Sequence, residues 1–179
     1  MIYGAAGTGK TTTLITFATS VIAADPHTQV YGIDSAGGRL GTLAALPNTG
    51  DIVPGDERDR IVRLLGLVKG LIAERSAARV TTPPVLLLVD GLAAFRDAYE
   101  HRGGGSDPFA DLVEIAGNGR NVGMHLLLSA ERTGALPAAL ASSIPERLTL
   151  RLTAEADYQN LGIPADALKR RRPRPGTAH

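Results

Sequence analysis

Gly4-Ala5-Ala6-Gly7-Thr8-Gly9-Lys10-Thr11 decides the reading of this chain. It fits G-x-x-x-x-G-K-[ST] at every position, with apolar Met1-Ile2-Tyr3 before it and a helical stretch, Thr11 to Ala24, after it. Phosphate chemistry accounts for the spacing. Gly4, Gly7 and Gly9 let the backbone bring its N–H groups round a β-phosphate with no Cβ in the way. Lys10 adds a point charge for the β- and γ-phosphates, and the Thr11 hydroxyl is placed to ligate Mg²⁺. The following helix aims the positive end of its dipole at the same anion. The plain alternative is a glycine-rich turn before a helix, yet chance gives this pattern in fewer than roughly one chain in a hundred of this length. The segment Gly4, Ala5, Ala6, Gly7, Thr8, Gly9, Lys10, Thr11, Thr12 is therefore expected to bind ATP.

Working outward, short apolar runs alternate with longer helical ones, the pattern of an α/β domain. Gln29 to Ile33 reads as a strand closing on Asp34, with a turn at Ala36-Gly37-Gly38. Leu40 to Leu46 reads as a short helix stopped by Pro47, and Asp51-Ile52-Val53 as a minor strand. From Glu57 to about Arg79, Ile61, Leu64, Leu65, Val68, Leu71 and Ile72 recur at three and four, which predicts an amphipathic helix. Val85 to Val89 is an unalternating aliphatic run, as a strand buried on both faces of a parallel sheet requires. His101 to Asp107 reads as a mobile loop and Pro108 to Ala116 as a helix. Met124 to Ser129 and Leu148 to Leu152 are expected strands, with a helix over Leu136 to Ser143 between them.

Asp90 ends the Val85 run, where a phosphate-loop protein needs a carboxylate for the magnesium shell. Capping of the strand end is the plainer role for such an Asp; beside a phosphate loop the Mg²⁺ role is preferred. Many ATPases place a second acid directly after this Asp to polarise the attacking water. Here that position is Gly91, which can neither accept a proton nor orient water. General-base assistance is typically worth about 10²–10⁴-fold in rate, so its loss slows turnover without abolishing binding.

The chain has 179 residues, no cysteine, and no 18-residue apolar stretch, which excludes a disulfide framework and a membrane-spanning helix. Its start runs at once into the glycine loop, unlike a signal peptide. Lys169 to Arg174 holds five of the 19 basic residues, leaving 14 against 18 acidic ones elsewhere. The body is thus mildly acidic, and affinity for nucleic acid would have to rest on the tail. Three residues make a short first strand where about five are usual, so the chain is expected to be a piece of a longer protein.

With these residues in place, the chain resembles the FtsK/SpoIIIE-type motor ATPases, a RecA-like P-loop family. Beyond the phosphate loop and Asp90, the resemblance is carried by Tyr31-Gly32-Ile33-Asp34 with Gly37-Gly38 and by Gly119-Arg120-Asn121-Val122-Gly123-Met124-His125 with the apolar run after it. Ser143-Ile144-Pro145-Glu146-Arg147-Leu148 and Ala156-Asp157-Tyr158 continue it. Pro47, Gly55-Asp56-Glu57-Arg58 and the long helix after them most resemble the ATPase modules of type VII secretion motors. The resemblance implies a three-layer α/β/α fold with a mostly parallel sheet and a central phosphate-loop strand. It implies ATP and Mg²⁺ as ligands, with Lys10 and Asp90 catalytic and Thr11 and Asp90 at the metal. It further implies neighbouring modules in one chain or a homo-hexameric ring, and double-stranded DNA or a secreted protein as the substrate. The module is then cytoplasmic, or the cytoplasmic part of a membrane-anchored motor. The domain is expected over residues 1–168, with 169–179 a basic tail or linker.

The chain departs from the family pattern at Ser129-Ala130-Glu131-Arg132-Thr133, where DNA translocases usually carry Ala-Thr-Gln-Arg-Pro. Glu131 replaces a neutral phosphate-sensing Gln. A carboxylate there repels phosphate unless Mg²⁺ or Arg intervenes, and this reading is preferred to the alternative that Glu131 supplies the acid missing at Gly91, for which it is counted as a third catalytic candidate. A degenerate, non-hydrolysing module is the competing reading. Arg58, Arg60 and Arg63 read as a solvated helix face with Glu57 and Asp59 in preference to an arginine finger, with Arg120 and Arg132 as similar cases. His125 is expected to pack in the core; for Tyr3, adenine stacking and strand packing weigh equally.

Overall fold

The structure, a computed structural model, describes residues 1–100 and 106–164, leaving aside the side chains of Ala135 and Ala139. Most of the glycine loop (101–105) and the whole basic tail lie outside the described residues. In chain order come β1 (Ile2–Tyr3), α1 (Lys10–Ala24), β2 (Gln29–Asp34), β3 (Thr49–Pro54), α2 (Arg58–Ala78), β4 (Val85–Asp90), α3 (Leu92–Tyr99), α4 (Pro108–Asn118), β5 (Met124–Ala130), α5 (Ala138–Ala141), β6 (Leu148–Thr149) and α6 (Glu155–Asn160). A 3-10 turn over Arg39–Ala45 joins β2 to β3.

The aliphatic run at Val85 does what its composition demands. All six residues of β4 are buried, and the strand lies between β2 and β5 in a sheet ordered β3-β2-β4-β5-β1-β6 with every pairing parallel. Its side chains alternate between two cores. Leu86 and Leu88 pack with Leu14 and Ala18 of α1. Val85, Leu87 and Val89 pack with Ile61, Leu65, Phe95 and Leu112 of α2, α3 and α4. The sheet is thus sandwiched between helices in the expected three-layer arrangement. Each such fully buried Leu contributes roughly 1.5–3 kcal/mol of apolar transfer. Asp107 starts α4 by accepting from the N–H groups of Phe109 and Ala110 (both 3.0 Å), with Pro108 in the first turn as read.

Several expectations are corrected. Among the described residues the phosphate-loop strand is interior but not central, since β1 lies second from the edge with β6 outside it. The minor strand at Asp51 is a six-residue edge strand, held by parallel pairing to β2. The helix expected over Leu136 to Ser143 is a four-residue helix that begins after Pro137. The strand over Leu148 to Leu152 shortens to Leu148–Thr149, although the Leu150 N–H still bonds the Tyr3 carbonyl at 2.7 Å. His125 is exposed, not packed: β1 pairs with β5 only at Ser129 and Ala130, so no strand flanks the histidine on that side. Tyr3 is 1% exposed within the core, which assigns it to strand packing. Arg60 bridges Asp51 (2.6 Å) and Glu57 (2.7 Å), as a helix-face arginine should, while Arg58 donates to the Ser106 carbonyl at 2.7 Å and lies over the Tyr99 ring.

α3, which follows the site directly, is anchored at its far end. The Tyr99 hydroxyl donates to the Gly55 carbonyl at 2.6 Å, Phe95 packs 5.1 Å from its ring, and burial pushes the phenol up from its ordinary pKa. Tyr99→Phe removes the donor and leaves the Gly55 carbonyl unpaired, an expected loss of about 1–2 kcal/mol in a denaturant melt.

Candidate functional site

The strands are parallel, so their carboxyl ends gather on one edge of the sheet, where α/β proteins bind ligands. The phosphate loop leaves β1 at that edge. The Gly4 N–H donates to the Ala130 carbonyl (3.1 Å) and the Ala5 N–H to the Arg151 carbonyl (2.8 Å), which ties the loop to strand ends on both sides. Gly7 and Gly9 take φ values of 72° and 98°, and α1 then starts at Lys10. The first N–H groups of α1 have no intrahelical partner and point into the cleft the loop encloses.

That cleft has a volume of about 610 Å³. Of the residues expected from the sequence, Ala6, Gly7, Gly9, Lys10, Thr11, Thr12 and Glu131 line it; Gly4, Ala5 and Thr8 form the loop's base, with the Thr8 hydroxyl on the Ala5 carbonyl at 2.8 Å. Lys10 Nζ donates to the Gly4 and Ala5 carbonyls (2.9 and 3.0 Å) and lies 3.7 Å from Glu131 Oε1. Asp90 sits behind the cleft wall, 1% exposed, and accepts from the Thr11 hydroxyl at 2.5 Å. Its second oxygen accepts from the hydroxyl of Ser129 on β5, which in turn accepts from the Gly91 N–H at 2.9 Å.

Three further polar residues line the cleft. Arg39 enters from the turn after β2, Ser35 from the end of β2, and Asp97 from α3. Only Arg39 leaves a trace in the sequence, as the cation after a double-glycine turn at a strand end. The turn itself is fixed by Asp34, whose carboxylate accepts from the N–H groups of Ala36, Gly37 and Leu40 (3.1, 3.2 and 2.7 Å). A larger cavity, about 890 Å³, opens across Ser35 toward Ile52, Pro54 and Tyr99; it contains no phosphate-loop residue, so the phosphate chemistry belongs to the smaller cleft. Arg132 lines an adjoining depression with Asp157 and Arg96, and Arg120 lines a separate one with His125.

Gly91 is glycine for a structural reason. It turns the chain from β4 into α3 at φ 81°, ψ 52°, in the left-handed region, and a Cβ there would stand 3.0 Å from the Ser35 carbonyl carbon and oxygen. The backbone that forms the cleft wall thus crowds the position where a second acid would attach, and would have to shift by a few tenths of an ångström to admit one.

A magnesium ion fits these residues. Among the described residues no three His, Asp or Glu side chains come together as a metal cage. The Thr11 hydroxyl backed by a buried carboxylate is the donor set of an ion that keeps several waters and is otherwise held by phosphates. The strand order, the loop and this hydroxyl–carboxylate pair together define a RecA-like P-loop nucleotide-binding domain.

Within that class, the model of the FtsK/SpoIIIE family matches residues 1–171, and the chain belongs to that family. The ESX-3 secretion system protein EccC3 of Mycobacterium tuberculosis is 28% identical over 97% of this chain. The chain spans 15% of the length of that relative. Among solved structures, EssC (ATPases 2 and 3) from Geobacillus thermodenitrificans superimposes with a TM-score of 0.80 at 20% identity, over 92% of this chain and 34% of that one. Thermomonospora curvata EccC (ATPases 2 and 3), in complex with a signal sequence peptide, gives 0.70 at 24% identity over 92% of this chain and 34% of its own. No helix among the described residues is long and apolar enough to cross a membrane.

Proposed function

We propose that this chain is an ATP·Mg²⁺-binding module of a type VII secretion motor, and that it holds nucleotide without hydrolysing it rapidly by its own residues. In this reading Gly4 to Thr12 cradle the phosphates, with Lys10 the cation for the β- and γ-phosphates. Thr11 is the magnesium ligand, and Asp90 orients that hydroxyl from behind. The observation that carries the second half of the proposal is Gly91, held in a left-handed conformation against the Ser35 carbonyl, where many ATPases use an acid. The likeness to EccC proteins supports a secreted polypeptide as the substrate, and the mildly acidic body disfavours double-stranded DNA. The partners in this reading are further ATPase modules of the same chain or ring, on the cytoplasmic side of a membrane-anchored complex.

Glu131 admits two roles with opposite signatures. Its 3.7 Å approach to Lys10 makes it a competitor for the cation that phosphate must meet, though a side chain 61% exposed is well screened. Glu131→Gln is then expected to tighten ATP binding about two- to fivefold in an equilibrium titration, with turnover unchanged. A catalytic base at Glu131 predicts instead unchanged affinity and turnover lowered about 10²–10⁴-fold. Turnover measured with duplex DNA and with a signal-sequence peptide separates the two substrate classes: stimulation by DNA alone would reject the secretion reading.

A further inference from the structure

We propose that Ser129 is a positioning residue for the magnesium-dependent part of ATP binding, acting through Asp90; this rests on the ATP·Mg²⁺ reading above. Ser129 lies one residue before the end of β5, 0% exposed, in a position where an apolar side chain would be the ordinary filling. A serine hydroxyl has one hydrogen to give and lone pairs to accept with. Here both capacities are used on the neighbouring strand end. The hydroxyl donates to Asp90 Oδ1 and accepts from the Gly91 N–H at 2.9 Å. Thr11 donates to the other oxygen, Asp90 Oδ2, at 2.5 Å. Each carboxylate oxygen therefore receives one hydroxyl, from opposite sides.

Two-point holding matters because the terminal torsion of an aspartate is broad, with no steep staggered wells of its own. With Thr11 alone the carboxylate can swing about the Cβ–Cγ bond, and the Thr11 hydroxyl that faces the phosphates swings with it. Ser129 fixes the plane of the carboxylate. It also occupies the Gly91 N–H, which would otherwise be a donor without a partner at the turn where the second acid is missing. A buried serine present only to fill space would need neither bond, and alanine would serve as well.

The test uses a fluorescent ATP analogue and the whole chain, titrated with saturating Mg²⁺ and with EDTA. The readout is the ratio of the two affinities, so a general loss of fold cancels or is seen in a parallel thermal melt. For Ser129→Ala the ratio is expected to fall about tenfold from the wild-type value, and for Asp90→Asn to fall to near one. Ser129→Cys, which keeps the shape with only a weak donor, is expected to behave as Ser129→Ala and carries the test if the alanine variant does not fold. A wild-type ratio in Ser129→Ala and Ser129→Cys, with the ratio lost in Asp90→Asn, would overturn the role of Ser129 alone. A wild-type chain whose affinity ignores Mg²⁺ would overturn the ATP·Mg²⁺ reading and this proposal with it.

Discussion

Gly91→Glu, the substitution that restores the missing acid on paper, is expected to damage the chain without accelerating turnover. A non-glycine residue in the left-handed region costs roughly 1–2 kcal/mol before any contact is counted. Its Cβ would stand 3.0 Å from the Ser35 carbonyl and 3.1 Å from Ala36 Cβ. That wall is stiff, because Asp34 ties the N–H groups of Ala36, Gly37 and Leu40, and Ser35 N–H bonds the Asp90 carbonyl at 2.9 Å. We expect a total loss of about 2–4 kcal/mol, a large part of a typical margin of 5–15 kcal/mol, and a Tm lower by about 5–15 °C. Gly91→Ala should show most of the same loss, since the strain begins at Cβ. A Gly91→Glu chain that melts like the wild type and hydrolyses ATP faster would contradict this account of the turn.

Lys10→Ala is expected to weaken ATP binding about 100-fold while lowering the melting temperature by only about 2–6 °C. Among the described residues the Lys10 amine meets two loop carbonyls and the exposed Glu131, and its side chain is 10% exposed. Phosphate oxygens carry full charge where the carbonyls do not, so charge-assisted bonds to nucleotide outweigh them; a bond to a charged group is worth about 1.5–3 kcal/mol. Replacing Lys10 also takes a donor from the buried Gly4 carbonyl and from the Ala5 carbonyl, a cost of about 1–2 kcal/mol to the fold beside the larger loss on the ligand. Calorimetric titration of both chains checks the ratio. Equal affinities would remove the nucleotide from the phosphate loop.

Features that were legible in the sequence are those whose physics is local. The phosphate loop is written in glycines at fixed spacing, and β4 in an aliphatic run that only a doubly covered strand tolerates. Asp90 could be placed because it ends that run. Contacts between strand ends were not legible. Ser129 bonds Asp90 across 39 residues of sequence, and Arg39 and Asp97 reach the cleft through turns whose direction depends on Asp34 and Gly91. α3 escaped notice because it is eight residues long and is entered from a glycine with no side-chain cap. His125 is exposed although it lies in a strand, because burial also needs a neighbouring strand or a covering helix.

The central claim is that ATP is held at this cleft and not rapidly turned over by the module's own residues. Single-turnover hydrolysis tests it most directly, with the wild-type chain in excess over labelled ATP and Mg²⁺ and bound and cleaved nucleotide followed together. The expected result is saturable binding with bound ATP surviving, its cleavage slower by about 10²–10⁴-fold than an intact general base would give. Rapid cleavage of the bound ATP, or no saturable binding at millimolar nucleotide, would contradict it.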